Sequence, residues 1–129
     1  MPLSDDGTCF ACGKSNPDGL QLDIRTTPEG VELDYTPPAR YEGWQGIVHG
    51  GIVSTLLDEL CAWACSARGY RTVTGRLEIR FRHATPIGRP LRGFGRVVRE
   101  RGAMVEVESR LEDESGNVLA EASARMMKT

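Results

Sequence analysis

No apolar run in this 129-residue sequence reaches the roughly 18 residues that a membrane-crossing helix needs. The opening Met1-Pro2-Leu3-Ser4-Asp5-Asp6 has neither the basic nor the apolar region of a secretory signal. Both absences point to a cytoplasmic protein without a membrane partner. No internal repeat or low-complexity segment is present, and the length suits one domain with a real core, not two. At 40% hydrophobic and 26% charged residues, the composition is that of an ordered globular chain. The four cysteines, with no export signal, are expected as free thiols rather than disulfides. Cys9-x-x-Cys12 has metal-ligand spacing, and Cys61 and Cys65 lie one helical turn apart. Structural zinc usually takes two compact knuckles rather than a knuckle plus a helix turn, so no metal is expected.

The net charge of -2 conceals an uneven distribution. Between Arg68 and Arg101 stand ten arginines (68, 71, 76, 80, 82, 89, 92, 96, 99 and 101) against Glu78 and Glu100, an excess of eight positive charges. Such a band suits phosphates, and it suits equally well strand faces that pair with glutamates across a sheet. No nucleic-acid partner is expected.

Residues 1–19 read as an irregular arm, and 20–129 as one domain. Leu20, Leu22 and Ile24 alternate, as do Val31, Leu33 and Tyr35 beyond Pro28-Glu29-Gly30, which predicts strand, turn and strand. Pro37-Pro38 closes the second strand, and a glycine-punctuated loop from Tyr41 through Trp44 and Gln45 to Gly46 leads onward, with aromatic rings placed to line a pocket. From Gly51 to about Arg68 the spacing of Val53, Leu56, Leu57, Leu60, Ala64 and Ala67 predicts the one long helix. Ile52, Cys61 and Trp63 widen its apolar zone, so burial on most sides is expected. Gly69 stops it. Leu77, Ile79 and Phe81 then alternate strictly with Arg76, Glu78, Arg80 and Arg82, and three further strands follow by turns. The order predicts an α+β domain, an antiparallel sheet curled around one helix. Exposed sheet edges favour pairing with another copy, so a homodimer or a dimer of dimers is expected.

Gly51, Thr55, Asp58, Ala62 and Cys65 share the small, polar face of the helix. A carboxylate enters a buried helix only when paired or used. Gly50-Gly51 at the helix start offers unpaired N–H groups, the positive end of the dipole and close access for a ligand oxygen. One reading joins these as oxyanion stabiliser and carboxylate. The other makes Gly50-Gly51 a simple turn and Asp58 a solvated or salt-bridged residue.

His49-Gly50-Gly51 followed by Leu56-Leu57-Asp58-Glu59, within this element order, resembles the hotdog fold and its PaaI-like acyl-CoA thioesterases. The lead-in Cys9-Phe10-Ala11-Cys12-Gly13 with Asn16-Pro17-Asp18-Gly19-Leu20 is also similar to that of many members, and the resemblance covers nearly the whole chain. It implies that the Gly51 N–H receives the thioester carbonyl and that Asp58 acts as nucleophile or general base. Thr74, from the partner subunit, would orient the carboxylate or water. Gly50, Trp44 and Gln45 would bind substrate, Gln45 being the one residue of its type near a position where many members carry Asn or Gln. His49 would either take part in catalysis or shape the loop through a backbone bond; His83 matches no catalytic position. Arg76, Arg80 and Arg82, pointing one way, would hold the phosphates of coenzyme A, which is part of the substrate; no other cofactor is implied. The other readings are a hotdog protein that binds acyl-CoA without turnover, a zinc or thiol-redox module and a hydratase.

Overall fold

The computed structural model describes residues 3–129. The chain runs through β1 (Arg25–Thr27), β2 (Gly30–Tyr35), α1 (Gly50–Ser66), β3 (Thr72–Phe81), β4 (Leu91–Arg101), β5 (Met104–Glu112) and β6 (Val118–Lys128). Its strands form one antiparallel sheet in the order β1-β2-β4-β5-β6-β3. Three hairpins give the consecutive pairs, while β3 crosses to the far edge beside β6 because α1 intervenes between β2 and β3. No helix among the described residues is long and apolar enough to cross a membrane.

The helix spacing read from the sequence is the spacing that packs as far as Ala64, whereas Ala67, the C-cap, is exposed. Val53, Leu56, Leu57, Leu60, Cys61, Ala64 and Cys65 are buried, and no side chain from Ile52 to Cys65 is fully exposed. They meet Val31 and Leu33 of β2, Val105, Val107 and Leu111 of β5, and Ala120, Ala122, Ala124 and Met126 of β6 in one core. Each fully buried leucine contributes roughly 1.5–3 kcal/mol relative to an exposed one. The helix ends at Ser66, two residues short of the expected Arg68. Gly69, at φ +86°, takes the left-handed turn, and the Tyr70 N–H bonds back to the Cys65 carbonyl at 3.1 Å.

Small residues set the distance between helix and sheet. A Cβ at Gly95 would lie 2.5 Å from the Leu60 carbonyl oxygen, and one at Gly93 would lie 2.8 Å from the Leu60 Cδ1. The first obstacle is backbone and cannot swing away, whereas the second is a rotatable methyl. Gly95→Ala is therefore expected to destabilise the protein by about 1–3 kcal/mol or more, and more than Gly93→Ala. Denaturant unfolding of the two variants checks the order.

The first strand differs from expectation. Leu20, Leu22 and Ile24 do bury alternate side chains, but their segment is not in the sheet, which begins at Arg25. Gln21 has φ +52°, which breaks the extended run, and the Leu20 and Leu22 N–H groups bond to the carbonyls of Phe10 and Ala11, each at 2.9 Å. The lead-in is thereby drawn onto the domain, with Ala11 in the core.

Most of the arginine band serves the sheet surface. Arg82 pairs with Glu121, Arg96 with Glu108, Arg99 with Glu106, and Arg92 with Glu32 and Asp34 across strands; Arg68, Arg76 and Arg89 also reach carboxylates. Of the ten, Arg71, Arg80 and Arg101 make no ion pair among the described residues. Pairs this exposed contribute about 0–1 kcal/mol each.

Candidate active site at the helix start and its polar face

His49 is the N-cap of α1 and its imidazole Nδ1 accepts the Gly51 N–H at 2.9 Å. An accepting Nδ1 carries no proton, so the neutral ring holds its proton on Nε2. The approach to this cap is locked from several sides. The His49 N–H bonds to the Tyr41 carbonyl at 2.9 Å and the Val48 N–H to the Thr85 carbonyl at 2.8 Å. The preceding loop closes on itself through Gly43 N–H to the Ile47 carbonyl and Gly46 N–H to a Glu42 carboxylate oxygen. Gly46, at φ +79°, makes that turn possible.

This geometry corrects the expected role of Gly51, whose N–H is already bonded and not free for a ligand. The Gly50 N–H has no partner among the described residues, and a Cβ at Gly50 would meet only the Phe81 ring at 3.9 Å. Packing within the chain therefore does not demand glycine at position 50. Position 51 is tighter, with the His49 Nδ1 3.0 Å from where a Cβ would sit.

A cleft of 690 Å³ opens here, lined among others by Trp44, His49, Gly50, Phe81, Arg82 and His83. Trp44 is 85% exposed and Phe81 54% exposed, an apolar rim around a polar helix end. Gln45, at the exposed loop tip, does not line it, and neither does Tyr41. Arg82 borders the cleft while its guanidinium is held by Glu121. Arg80 lines a separate 520 Å³ groove on the outer face of the sheet with Glu78, Glu108 and Glu121. The expected trio of arginines at one mouth is thus not assembled within one chain: Arg76 is spent on Glu78 and Arg80 faces elsewhere.

Asp58 lies on the half-buried polar face of α1 and accepts a 2.7 Å hydrogen bond from the Thr74 hydroxyl. Thr74 and Asp58 of this bond belong to the same chain, where the expectation was a threonine from a partner. A bulge brings them together. The register of β3 on β6 slips between Thr74 and Arg76, so Thr74 stands opposite the buried Met126, while Arg76 stands opposite the exposed Arg125. Strict alternation would have put Thr74 on the outer face with Arg76, Glu78 and Arg80. Gly75 occupies the slip, and a Cβ there would approach the Met127 side chain to 3.0 Å. No ion pair to Asp58 occurs among the described residues.

Glu59, the next residue, turns the other way. Its Oε1 lies 4.0 Å from the Cys9 thiol, and Cys9, Cys12 and Glu59 bring one ligand atom each within 4.8 Å of one another. Burial pushes the Glu59 carboxyl above its ordinary range, Cys12 and Trp63 oppose that, and Asp58 and Asp5 add to it. The Cys12 thiol is pushed up to about 12 by burial, with Glu59 reinforcing the effect. Cys61 and Cys65 sit in the core instead, Cys61 donating to the Ser109 hydroxyl at 3.3 Å, so the four cysteines do not converge. Glu59 could not be picked out from the sequence, because its distance from Cys9 in the chain carries no motif.

A family model described as thioesterase superfamily matches residues 45–120, from the loop before α1 into β6. A crystal structure described as a thioesterase superfamily protein aligns over 95% of this chain with TM-score 0.89 and 22% identity; the chain spans 61% of that protein's length. A hypothetical thioesterase of Streptococcus pneumoniae, solved with coenzyme A, aligns with TM-score 0.78 and 20% identity over 84% of this chain and 88% of its own. Two further structures of that protein carry an aspartate-to-alanine and a threonine-to-alanine change sixteen positions apart. The Escherichia coli PaaI protein of the phenylacetic acid degradation operon aligns with TM-score 0.78 and 21% identity, covering 84% of each chain. No curated protein matches the chain.

Proposed function

The chain belongs to the thioesterase superfamily, with a PaaI-like hotdog fold, and from that premise we propose that it is an acyl-CoA thioesterase, splitting an acyl thioester with water into free acid and coenzyme A. The observation that carries the reading is Asp58, a half-buried carboxylate without an ion pair among the described residues, oriented by one hydroxyl. A carboxylate placed there for stability alone would be paired. A pure binder of neutral acyl groups gains nothing from it. The spacing from Asp58 to Thr74 is sixteen, the separation of the aspartate and threonine altered in the pneumococcal thioesterase, and that protein and this chain share a fold.

In this reading the Thr74 hydroxyl fixes one carboxylate oxygen, and the other faces the substrate. Asp58 either takes a proton from water as it attacks or attacks the carbonyl itself. The oxygen of that carbonyl is received at a helix start, where the Gly50 N–H has no partner among the described residues and His49 caps the Gly51 N–H. Seven residues of helix separate Gly51 from Asp58, an axial distance of about 10 Å. One carbonyl group cannot meet both in the same chain. The catalytic site is therefore built from two copies, the helix start of one meeting Asp58 and Thr74 of the other. Exposed Phe81 and Val73 on the edge strand β3 provide apolar surface for such pairing. A homodimer or a dimer of dimers follows.

The direct test is release of free thiol from a panel of short, medium and aromatic acyl-CoAs, run beside binding of the same ligands. Turnover supports the enzyme; tight binding with no thiol release across the panel would establish the non-catalytic acyl-CoA binder instead.

In this reading Arg82, which borders the cleft and is held by Glu121, is the arginine that meets the coenzyme A phosphates. Arg82→Ala is expected to raise KM for acyl-CoA about three- to tenfold with a smaller effect on kcat, and raised salt should reproduce the change. Arg80→Ala, in the outer groove, should do less. A truncated thioester lacking the nucleotide should ignore both substitutions; an equal loss on the truncated substrate assigns Arg82 to the sheet surface with Glu121.

A further inference from the structure

Cys9, Cys12 and Glu59 take no part in the proposed hydrolysis, yet among the described residues their ligand atoms gather within 4.8 Å of one another. Cys9 and Cys12 stand on one tight turn, closed by the Gly13 N–H bonding to the Cys9 carbonyl at 2.9 Å. Position 13 admits no side chain, since a Cβ would lie 2.3 Å from the Cys9 nitrogen and 2.5 Å from the Gly7 carbonyl oxygen. The turn is fixed on the domain by Ala11 in the core and by the bonds from Leu20 and Leu22. It faces Glu59, projected from the rigid centre of α1, and all three residues are half-buried.

We propose that Cys9, Cys12 and Glu59 bind one zinc ion, or a divalent cation of similar thiophilic character. The charge balance favours a cation here. No lysine or arginine pairs with Glu59 among the described residues, while Asp58 and Asp5 add negative charge nearby. Two sulfurs and one carboxylate oxygen are a donor set that zinc accepts, with a water in the fourth tetrahedral position. Ligand atoms on tetrahedral zinc lie about 3.5–3.8 Å apart, so a cluster already within 4.8 Å closes by side-chain rotation alone. Binding replaces the two thiol protons, which pass to solvent, and involves no change of oxidation state. The ion clips the lead-in to the central helix one residue from Asp58. It departs from the expectation of free thiols because the third ligand comes from the helix and not from Cys61 or Cys65.

The test is titration of the reduced, metal-free full chain with zinc and with cobalt. Expected are one ion per chain, about two protons released in weakly buffered solution at neutral pH, a sulfur-to-cobalt charge-transfer band, and a higher melting temperature with metal. Cys9→Ser and Cys12→Ser should each weaken binding at least tenfold, as should Glu59→Gln, while Cys61→Ala should bind as the unaltered protein does. Three results overturn the proposal. They are no binding beyond that of the Cys9→Ser/Cys12→Ser double variant, unchanged affinity in Glu59→Gln, or air oxidation to a Cys9–Cys12 disulfide in a protein whose reduced form takes up no metal. The cobalt spectrum of the unaltered chain decides the matter even if a variant fails to fold.

Discussion

Asp58→Asn should lower kcat for the best acyl-CoA by about 10²–10⁴-fold while the protein folds and assembles as before. The amide keeps the size of the carboxylate and its carbonyl oxygen can still accept the Thr74 hydroxyl proton, so the local packing has no reason to change. What disappears is the charge that attacks or takes the proton. KM should move little, because a neutral acyl group gains little from a carboxylate. Thr74→Ala should cost less, since the hydroxyl orients the carboxylate and does not react, and Thr74→Ser should recover most of the loss. Steady-state kinetics on the four proteins, with thermal unfolding beside them, check the ranking. Near-normal turnover in Asp58→Asn would make the residue structural. An equal loss in Thr74→Ala would give the hydroxyl a primary part.

Elements with a clear apolar period were legible in the sequence. The helix from Val53 to Ala64 and the strands β5 and β6 bury the side chains that the spacing singles out, because their partners lie across a sheet whose geometry has the same period, whereas in the edge strand β3 Leu77 and Ile79 are half-buried and Phe81 is exposed. Three features were not legible, each for a local reason. The Thr74 side chain is turned inward by a one-residue slip at Gly75, and a lone glycine in a strand signals a bulge without saying which neighbour it redirects. The segment from Leu20 to Ile24 has strand periodicity, yet the Leu20 and Leu22 N–H groups go to the carbonyls of Phe10 and Ala11 in the lead-in, a pairing that no periodicity announces. The Gly51 N–H is capped by the side chain two residues before it, which a histidine can do only when the loop sets its backbone at φ −55° and ψ 135°. The chemistry-bearing residues were thus visible as types, and their partners were not.

The Thr74–Asp58 bond within one chain and the distance of Asp58 from the helix start decide which subunits complement one another. Were Thr74 supplied by the partner, mixed Asp58→Asn and Thr74→Ala chains would regain activity. With the two side chains bonded in one chain, such hybrids leave every catalytic site with one defect and should show no more than the mean activity of the two parents. The productive mixture pairs Asp58→Asn with a chain damaged at the helix start. Gly51→Val suits that purpose, because even a Cβ there comes within 3.0 Å of the capping imidazole, and the larger side chain crowds both the cap and the approach to the Gly50 N–H. In a two-fold dimer with two shared sites, a hybrid then holds one doubly damaged site and one intact site. Random reassociation of equal amounts makes half the dimers hybrid, so about a quarter of the unaltered activity should return from two inactive parents. Activity measured after mixing in denaturant and refolding, with hybrid content verified by differential tagging, gives the answer. No activity in verified hybrids of Asp58→Asn with Gly51→Val would place the helix start and Asp58 in one chain's site, against the axial separation of about 10 Å that seven residues of helix impose.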